Sequence, residues 1–420
     1  MSNREHSPQG GKEDHGGEGI RPEQLAVPTK ARRPAGWSAR RRRDACLLLA
    51  LLLLSVGTLF ALTSGGATLK LQAITSQGGT SPAIPATAAK TRSPLIPALT
   101  ATGDFREYPL PQPDSQLMRP AIDREGRLWF GEMGKNYLAV FDPRTRSFQQ
   151  MTPPRGRSGV MAVQVAPDDT IWFVEQYANY IGHYFPRASR YRLYPLPTLT
   201  VPDLQSSGKT LTLPSAPNEL ALDAHGTVWF TEMNADALGR LDPQTGLMQH
   251  YPLSQKRSVQ ALLPYGVTVD PAGMVWFTEA STNQIGRLDP TRGHIRWYTP
   301  TGLTLSLMEI ASDAHGIIWV TSFSAGLLLS LDPRTGIFTT YAAPHTGSGT
   351  GGIYGLVVTP AGEIWVTVLA ENAIVRLDVA AHRFITYPVP APGSEPLGIV
   401  MGSNHTLWFT ELDRIGMLRP

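Results

Sequence analysis

The most regular candidates for chemistry are glutamates that end a Trp-Phe-x-Glu motif. Five copies of the motif end in this carboxylate: Glu132, Glu175, Glu232, Glu279 and Glu411. Two further copies have Ser322 and Val368 instead. A partial ring of carboxylates could hold a hard divalent cation such as Mg²⁺. A residue repeated in five copies is more economically a structural feature of the repeat, because repeats preserve the residues that pack.

A second candidate set lies eleven residues before the Trp of each copy. These positions hold Met118, Met161, Asn218, Tyr265, Met308, Tyr354 and Leu397, and the next residues are Arg119, Ala162, Glu219, Gly266, Glu309, Gly355 and Gly398. If the copies form a ring, three Met and two Tyr make an adaptable apolar rim with charges beside it. Such a rim could accept an aromatic or apolar ligand. Alternatively, these side chains simply fill a central channel.

Glu395 is a third candidate because its residue type is unique among equivalent positions. The corresponding residues in the other copies are Gln116, Gly159, Ala216, Leu263, Ser306 and Gly352. A carboxylate that departs from the repeat is more informative about a site than one that follows it.

The Trp residues define the elements that must position these side chains. They recur at 129, 172, 229, 276, 319, 365 and 408, with spacings of 43 to 57 residues. Residues 266–298 show the pattern most clearly, as three short strands with turns at Pro271 and Asp289 and then a fourth strand, 294–298. Seven four-stranded units of this period predict an all-β, seven-bladed β-propeller.

The two ends of the chain indicate how the ring closes. The seventh copy stops after its third strand, whereas residues 104–111 resemble the fourth strand of other copies. We therefore predict that this N-terminal strand pairs with the last blade, which removes exposed sheet edges. The propeller is predicted over residues 104–420.

The residues before the propeller divide into three segments by composition. Residues 1–44 hold ten Lys or Arg and six Asp or Glu, and they read as a disordered basic tail. Residues 45–62 are 18 uncharged residues that directly follow an arginine cluster. This pattern predicts one transmembrane helix with a cytoplasmic N-terminus and the propeller outside. A cleaved signal peptide followed by secretion is the alternative. Residues 63–103 are a predicted flexible linker.

The long links between blades all lie on one face of the predicted ring. We expect a small-molecule or cell-envelope ligand at this loop-rich face. His225, His315 and His405 lie in turns of the opposite face and are expected to be solvated. Because the net charge of +3 comes from the basic tail, the sequence argues against nucleic-acid binding by the propeller. We expect a monomer.

The repeat resembles the virginiamycin B lyase, or streptogramin lyase, family. The resemblance rests on Pro264-Tyr-Gly-Val-Thr268, Val275-Trp-Phe-Thr-Glu279, Asn283-Gln-Ile-Gly-Arg287 and Leu407-Trp-Phe-Thr-Glu411. It covers residues 104–420 and implies a seven-bladed propeller. It also implies Mg²⁺-dependent opening of a cyclic depsipeptide antibiotic by elimination, with a base and a metal cation.

The residues at the family's site positions depart from the family pattern. The family has a His at the position of Tyr354 and a Glu-Pro-His segment at the position of Glu395-Pro396-Leu397. Its last site residue, a Glu, corresponds to Glu411. Both carboxylates are present and both imidazoles are absent. Tyr354 could act as a base only if its pKa were far below 10. His345, in a long link, could replace the missing base or could simply be exposed.

Two functional hypotheses follow. The first is a membrane-anchored, extracytoplasmic binding propeller that lacks the family's catalytic histidines. The second is a metal-assisted lyase, in which Glu395 and Glu411 bind Mg²⁺ and act with Tyr354 or His345. A six-bladed, lactonase-like hydrolase is less consistent with seven repeats.

Overall fold

The computed structural model describes residues 99–202, 208–253, 263–303, 305–344 and 352–420. The predicted tail 1–44, the predicted anchor 45–62, most of the linker 63–103 and His345 lie outside these residues. Within the described ranges, no helix is long and apolar enough to cross a membrane.

The described residues form 31 strands and two short 3-10 helices. In chain order the strands are β1 Leu99–Thr100, β2 Asp104–Pro109, β3 Ala121–Ile122, β4 Leu128–Glu132, β5 Tyr137–Asp142, β6 Ser147–Met151, β7 Val160–Val165, β8 Ile171–Glu175, β9 Tyr180–Phe185, β10 Arg190–Pro195, β11 Thr198–Pro202, β12 Thr210–Pro214, β13 Pro217–Leu222, β14 Val228–Glu232, β15 Ala237–Leu241, β16 Met248–Pro252, β17 Pro264–Val269, β18 Val275–Glu279, β19 Gln284–Asp289, β20 His294–Tyr298, β21 Leu307–Ser312, β22 Ile318–Ser322, β23 Leu327–Asp332, β24 Ile337–Ala342, β25 Ile353–Val358, β26 Ile364–Val368, β27 Ala373–Asp378, β28 Arg383–Pro388, β29 Ile399–Met401, β30 Leu407–Thr410 and β31 Arg414–Arg419. The 3-10 helices are Pro186–Ala188 and Ser403–His405.

These strands build seven antiparallel blades, as the Trp spacing predicts. Blades one to six are β3–β6, β7–β10, β13–β16, β17–β20, β21–β24 and β25–β28, and blade seven is β29–β31 with β2 outermost. In each blade the first strand is innermost. The cores lie between neighbouring blades, where the Trp of one blade packs against aliphatic residues of the next.

The predicted closing strand is confirmed. β2 pairs antiparallel with β31, from Asp104 opposite Arg419 to Pro109 opposite Arg414. The chain just before β2 also contributes, because β1 pairs in parallel with the outer strand of blade six. Two of the last residues of the predicted linker, Leu99 and Thr100, are therefore part of a sheet at the outer edge of the propeller.

A hairpin between blades two and three was also not predicted from the sequence. The link between blades two and three contains a hairpin, β11 and β12, which forms a separate two-stranded sheet. The Thr-Leu-Thr-Val-Pro and Thr-Leu-Thr-Leu-Pro segments alternate as strands do, and this alternation could have indicated the hairpin.

The Thr of the Trp-Phe-Thr-Glu motif joins neighbouring blades. Its hydroxyl accepts a hydrogen bond from a backbone N–H of the first strand in its own blade and donates one to a first-strand carbonyl of the next blade. Thr278, for example, accepts from Gly266 at 2.9 Å and donates to the Met308 carbonyl at 2.7 Å. The other donors to the next blade are Thr231, Thr321 and Thr367. A buried hydroxyl thus satisfies backbone groups of two blades at once.

Other motif residues hold each blade together. The Gly of Ile-Gly-Arg lies under the phenyl ring of Trp-Phe, so that a Cβ at Gly286 would overlap the Phe277 ring. The Trp276 indole N–H donates to Asp270 Oδ2 at 2.8 Å, and Arg287 lies over the Trp276 ring. The residues that carry the family resemblance therefore have packing roles here.

Substituting Thr278→Val should lower the free energy of unfolding by about 1–3 kcal/mol, because two buried backbone groups lose their partner. Valine fits this environment, since blade two has Val174 at the equivalent position. Urea unfolding measures the difference. Thr212→Val, on the exposed hairpin, is the control and should change little. Equal stabilities for both variants would show that the inter-blade hydrogen bond contributes nothing.

Candidate functional site

The residues predicted to form a rim lie together at the axis and are buried. Met118, Met161, Asn218, Tyr265, Met308, Tyr354 and Leu397 are all at most 4% exposed. Arg119, Glu219 and Glu309 are buried beside them. Of the two interpretations of this set, the geometry favours side chains that fill the channel.

Arg119 is the centre of this axial cluster. Its Nε donates to Glu309 Oε1 at 2.7 Å, and its Nη2 lies 2.6 Å from the same oxygen. Glu219 Oε1 is 3.4 Å from Nε. The guanidinium carbon lies 4.9 Å from the ring centre of Tyr265 and 5.9 Å from that of Tyr354. One side chain of blade one therefore contacts residues of blades three, four, five and six.

The electrostatics of the cluster follow from burial and pairing. Burial lowers the pKa of Arg119, but the attraction of Glu219 and then Glu309 outweighs this effect and raises the pKa above its usual value. Burial raises the pKa of Glu219, against the attraction of Arg119. The guanidinium is therefore charged at every physiological pH.

Tyr354 is protonated at neutral pH and is poorly placed to act as a base. Its hydroxyl and that of Tyr265 are 2.8 Å apart and share a hydrogen bond. Burial raises the pKa of Tyr354 well above its ordinary value, despite the attraction of Arg119. A base at this position would need the opposite shift.

The carboxylates that end the second strands are also buried, and two of them, Glu132 and Glu232, have side-chain partners nearby. Glu132 accepts hydrogen bonds from Ser115 at 3.0 Å and from Gln150 on the outer strand of blade one. Glu232 is 2.6 Å from Nδ1 of His250, on the outer strand of blade three. The hydrogen bond to Glu232 raises the pKa of His250.

The outer-strand residue determines whether the carboxylate finds a partner. Gln150 and His250 both lie opposite the third-strand Ala or Gly that packs under the Phe ring. The corresponding residues are Leu193 in blade two, which has no polar group, and Trp297 in blade four, whose ring packs edge-on against Phe277. Both oxygens of Glu175 and of Glu279 accordingly lack a hydrogen-bond partner. Burial raises the pKa of Glu175 to about 7 and that of Glu279 well above its ordinary value.

In blade seven the equivalent outer-strand residue is itself acidic. Glu107, contributed by the closing strand, stands opposite Gly416. Arg414 Nη1 lies 3.4 Å from Glu107 Oε2 and 3.6 Å from Glu411 Oε2. Burial and then the charge of Glu107 raise the pKa of Glu411 to about 7, against the effects of Ser394 and Arg414. Sequence reasoning identified Glu411 but missed Glu107 and Arg414.

Glu395 occupies a left-handed backbone position that recurs in the ring. Its φ is 53°, and its N–H donates to Asn372 Oδ1 at 3.2 Å. Positive φ also occurs at the equivalent Gln116, Gly159, Ala216, Leu263 and Gly352. The turn is therefore a repeat feature, and only the half-buried carboxylate is particular to blade seven.

The magnesium site at Glu395 and Glu411 stays a prediction. Mg²⁺ binds through one or two carboxylates together with water or substrate oxygens. Glu411 offers one carboxylate, with the cationic Arg414 already beside it. Across the described ranges, no three His, Cys, Asp or Glu side chains group as metal ligands.

A cavity of about 940 Å³ lies on the face opposite the long links. The turns of blades three, four and five line it, with Asp223, Asp270 and Asp313 among their residues. These aspartates already accept hydrogen bonds from turn N–H groups and from Trp indoles. His225 also lines the cavity and, like His315 and His405, it is exposed.

The unpartnered Glu175 should make stability depend on pH. Because the pKa is about 7 in the folded protein and ordinarily 4.5, the folded state holds the proton more tightly. The free energy of unfolding should therefore fall as pH rises from 4.5 to 7, by at most about 3 kcal/mol from this carboxyl. Glu175→Gln should be more stable than the wild type at pH 8 and show a flatter profile in urea unfolding. Glu125→Gln, on an exposed turn, is the control. Parallel profiles for all three proteins would contradict the expectation.

Comparisons with known proteins agree with the architecture. Residues 258–419 match the model of the virginiamycin B lyase family. A comparison with curated protein sequences found no match.

Among solved structures, a streptogramin B lyase is 26% identical, with 76% of this chain and 97% of that chain covered and a TM-score of 0.66. The virginiamycin B lyase from Staphylococcus aureus is 23% identical, with 76% and 99% covered and a TM-score of 0.66. YCF48 bound to D1 peptide is 15% identical, with 79% and 99% covered and a TM-score of 0.58. The last two show the fold alone.

The chain is thus a seven-bladed propeller that resembles the virginiamycin B lyase family, in sequence over residues 258–419 and in fold around the whole ring.

Proposed function

We propose that the propeller is a binding module, held outside the cytoplasm by an N-terminal membrane anchor, and that it recognises a ligand or cell-envelope partner at its loop-rich face. The main support is the pair Tyr354 and Leu397, which stand where the resemblance places the family's histidines. Both are buried, Leu397 has no proton-transfer chemistry, and burial raises the pKa of Tyr354.

The loop-rich face also supports a binding role. Asn179 donates to the carbonyls of Leu196 and Pro197, and Asn234 donates to that of Pro214, so side chains hold the base of the β11–β12 hairpin. Thr198, Thr200, Thr210 and Thr212 are exposed on it. Because the axial side chains fill the channel, a ligand would bind on the links above the axis. Propellers serve many functions, so the fold alone does not imply catalysis.

A metal-assisted lyase is the second candidate, and one observation favours it. The carboxyl of Glu411 has a pKa raised to about 7, which suits a general base near neutral pH. On this hypothesis Glu411 would exchange a proton with the substrate, and Glu395 would lie nearby. A bound Mg²⁺ would supply charge stabilisation for a developing enolate.

The purified full-length chain should leave a streptogramin B intact in the presence of excess Mg²⁺. Elimination does not change mass, so reversed-phase retention and the fragmentation pattern in mass spectrometry are the measurements. Linear product that increases with protein concentration would overturn the binding-only proposal. A Glu411→Gln variant would then show whether that carboxyl is the base.

A Tyr354→His, Leu397→His double variant tests the reason for inactivity. If the missing imidazoles are the cause, this variant should gain ring-opening activity. His225→Ala, on the opposite face, should change nothing in either background. If the double variant folds correctly but is inactive, the two missing imidazoles alone do not explain the lack of ring-opening activity.

The membrane anchor has a separate test. The 18 uncharged residues at 45–62 follow four consecutive arginines, which supports a span with its N-terminus inside. The full-length chain should remain with membranes after alkaline carbonate extraction, and externally added protease should reach the propeller. Release of a shortened chain into the medium would instead support signal-peptide cleavage.

A further inference from the structure

Four side chains around the axis surround one guanidinium group. Glu219, Tyr265, Glu309 and Tyr354, here called the axial cage, come from blades three, four, five and six. All four are buried. The guanidinium at their centre belongs to Arg119 of blade one, which contributes no other residue to the cage.

The contacts of the cage are those that select a guanidinium group. Glu309 provides an oxygen within 2.7 Å of both Nε and Nη2 of Arg119. Glu219 adds a second carboxylate oxygen at 3.4 Å, and the Asn218 carbonyl lies 3.5 Å from Nη1. The two tyrosine rings face the guanidinium carbon at 4.9 and 5.9 Å, within the range of cation–π attraction. A planar cation with several N–H donors suits this arrangement, and within it only Arg119 Nη2 and Glu219 Oε2 are left without a hydrogen-bond partner among the atoms of these two side chains.

The positive charge of Arg119 stabilises the acidic side chains of the cage. Glu219 and Glu309 lose the positive charge beside them when Arg119 is removed, and in the described part of the chain no other ion pair serves either of them. The shared hydrogen bond between the Tyr265 and Tyr354 hydroxyls holds the two rings in place without help from Arg119. Removing the Arg119 side chain should therefore leave an acidic, aromatic-walled cavity of guanidinium shape.

We propose that the axial cage is a binding site for an organic monocation of the guanidinium class, with Arg119 as its covalently tethered occupant. The tether gives this occupant a very high effective concentration, so free cations do not displace it in the native chain. Arg119 and the cage residues therefore keep the central channel filled, and a ligand of the loop-rich face would not enter it. This inference does not depend on the proposed function.

The test uses the full-length chain with Arg119→Ala and methylguanidinium as the probe. Titration calorimetry should show saturable, one-to-one binding that is at least about tenfold tighter than for methylurea, a neutral molecule of similar shape. Thermal unfolding should shift upward with methylguanidinium along the same saturation curve. Wild-type protein and Arg124→Ala, which removes an exposed arginine, should show no saturable binding. Adding Glu309→Gln to Arg119→Ala should weaken binding at least about tenfold.

Equal responses to methylguanidinium and methylurea would overturn the proposal, as would saturable binding by the wild type. If the Arg119→Ala variant does not fold by itself, it is refolded at increasing concentrations of methylguanidinium. Recovery of folded protein that saturates with this cation and not with methylurea supports the cage. Absence of recovery, in conditions where Arg119→Lys does refold, overturns it.

Discussion

From blade three to blade seven, each blade is joined to the next by the hydroxyl of a Thr that follows Trp-Phe or Trp-Val. Inner strands of neighbouring blades meet only at a few close backbone approaches, such as Gly266 against the Met308 carbonyl. There is no continuous sheet around the axis, so backbone groups at these approaches need another partner. The Thr hydroxyl provides it, by accepting from one blade and donating to the next. This contact fixes the spacing of the inner strands in that part of the ring, next to the apolar cores that lie between the blades.

Within that frame, the axis of this chain has a particular chemistry. Arg119 crosses from blade one to carboxylates of blades three and five and lies against tyrosines of blades four and six. The two positions at which the family resemblance places histidines are part of this packed, charged core. A few inner-strand side chains thus close the axis of this propeller.

Much of the fold could be predicted from the sequence because the repeat is strong. The Trp spacing predicts seven blades, and the unmatched strand at 104–111 predicts closure, which β2 confirms by pairing with β31. The axial residues were found by counting back from each Trp. The contacts among them could not be predicted, since Arg119 and Glu309 are 190 residues apart and the pattern does not indicate which charges meet. The left-handed turn at Glu395 and the pairing of Glu107 with Arg414 depend on backbone angles and register, which a single sequence does not reveal.

The closing strand also affects how the protein is made. Glu107 and Arg414, which face each other in blade seven, are separated by 307 residues. During synthesis β2 emerges before all the blades, and its partner β31 is made only after almost all of the propeller has followed. Such a strand has free backbone groups along its edges and can pair with the wrong neighbour. Closure of the ring therefore requires the two ends of the propeller to meet, and a chain truncated before β31 would leave β2 without its partner strand.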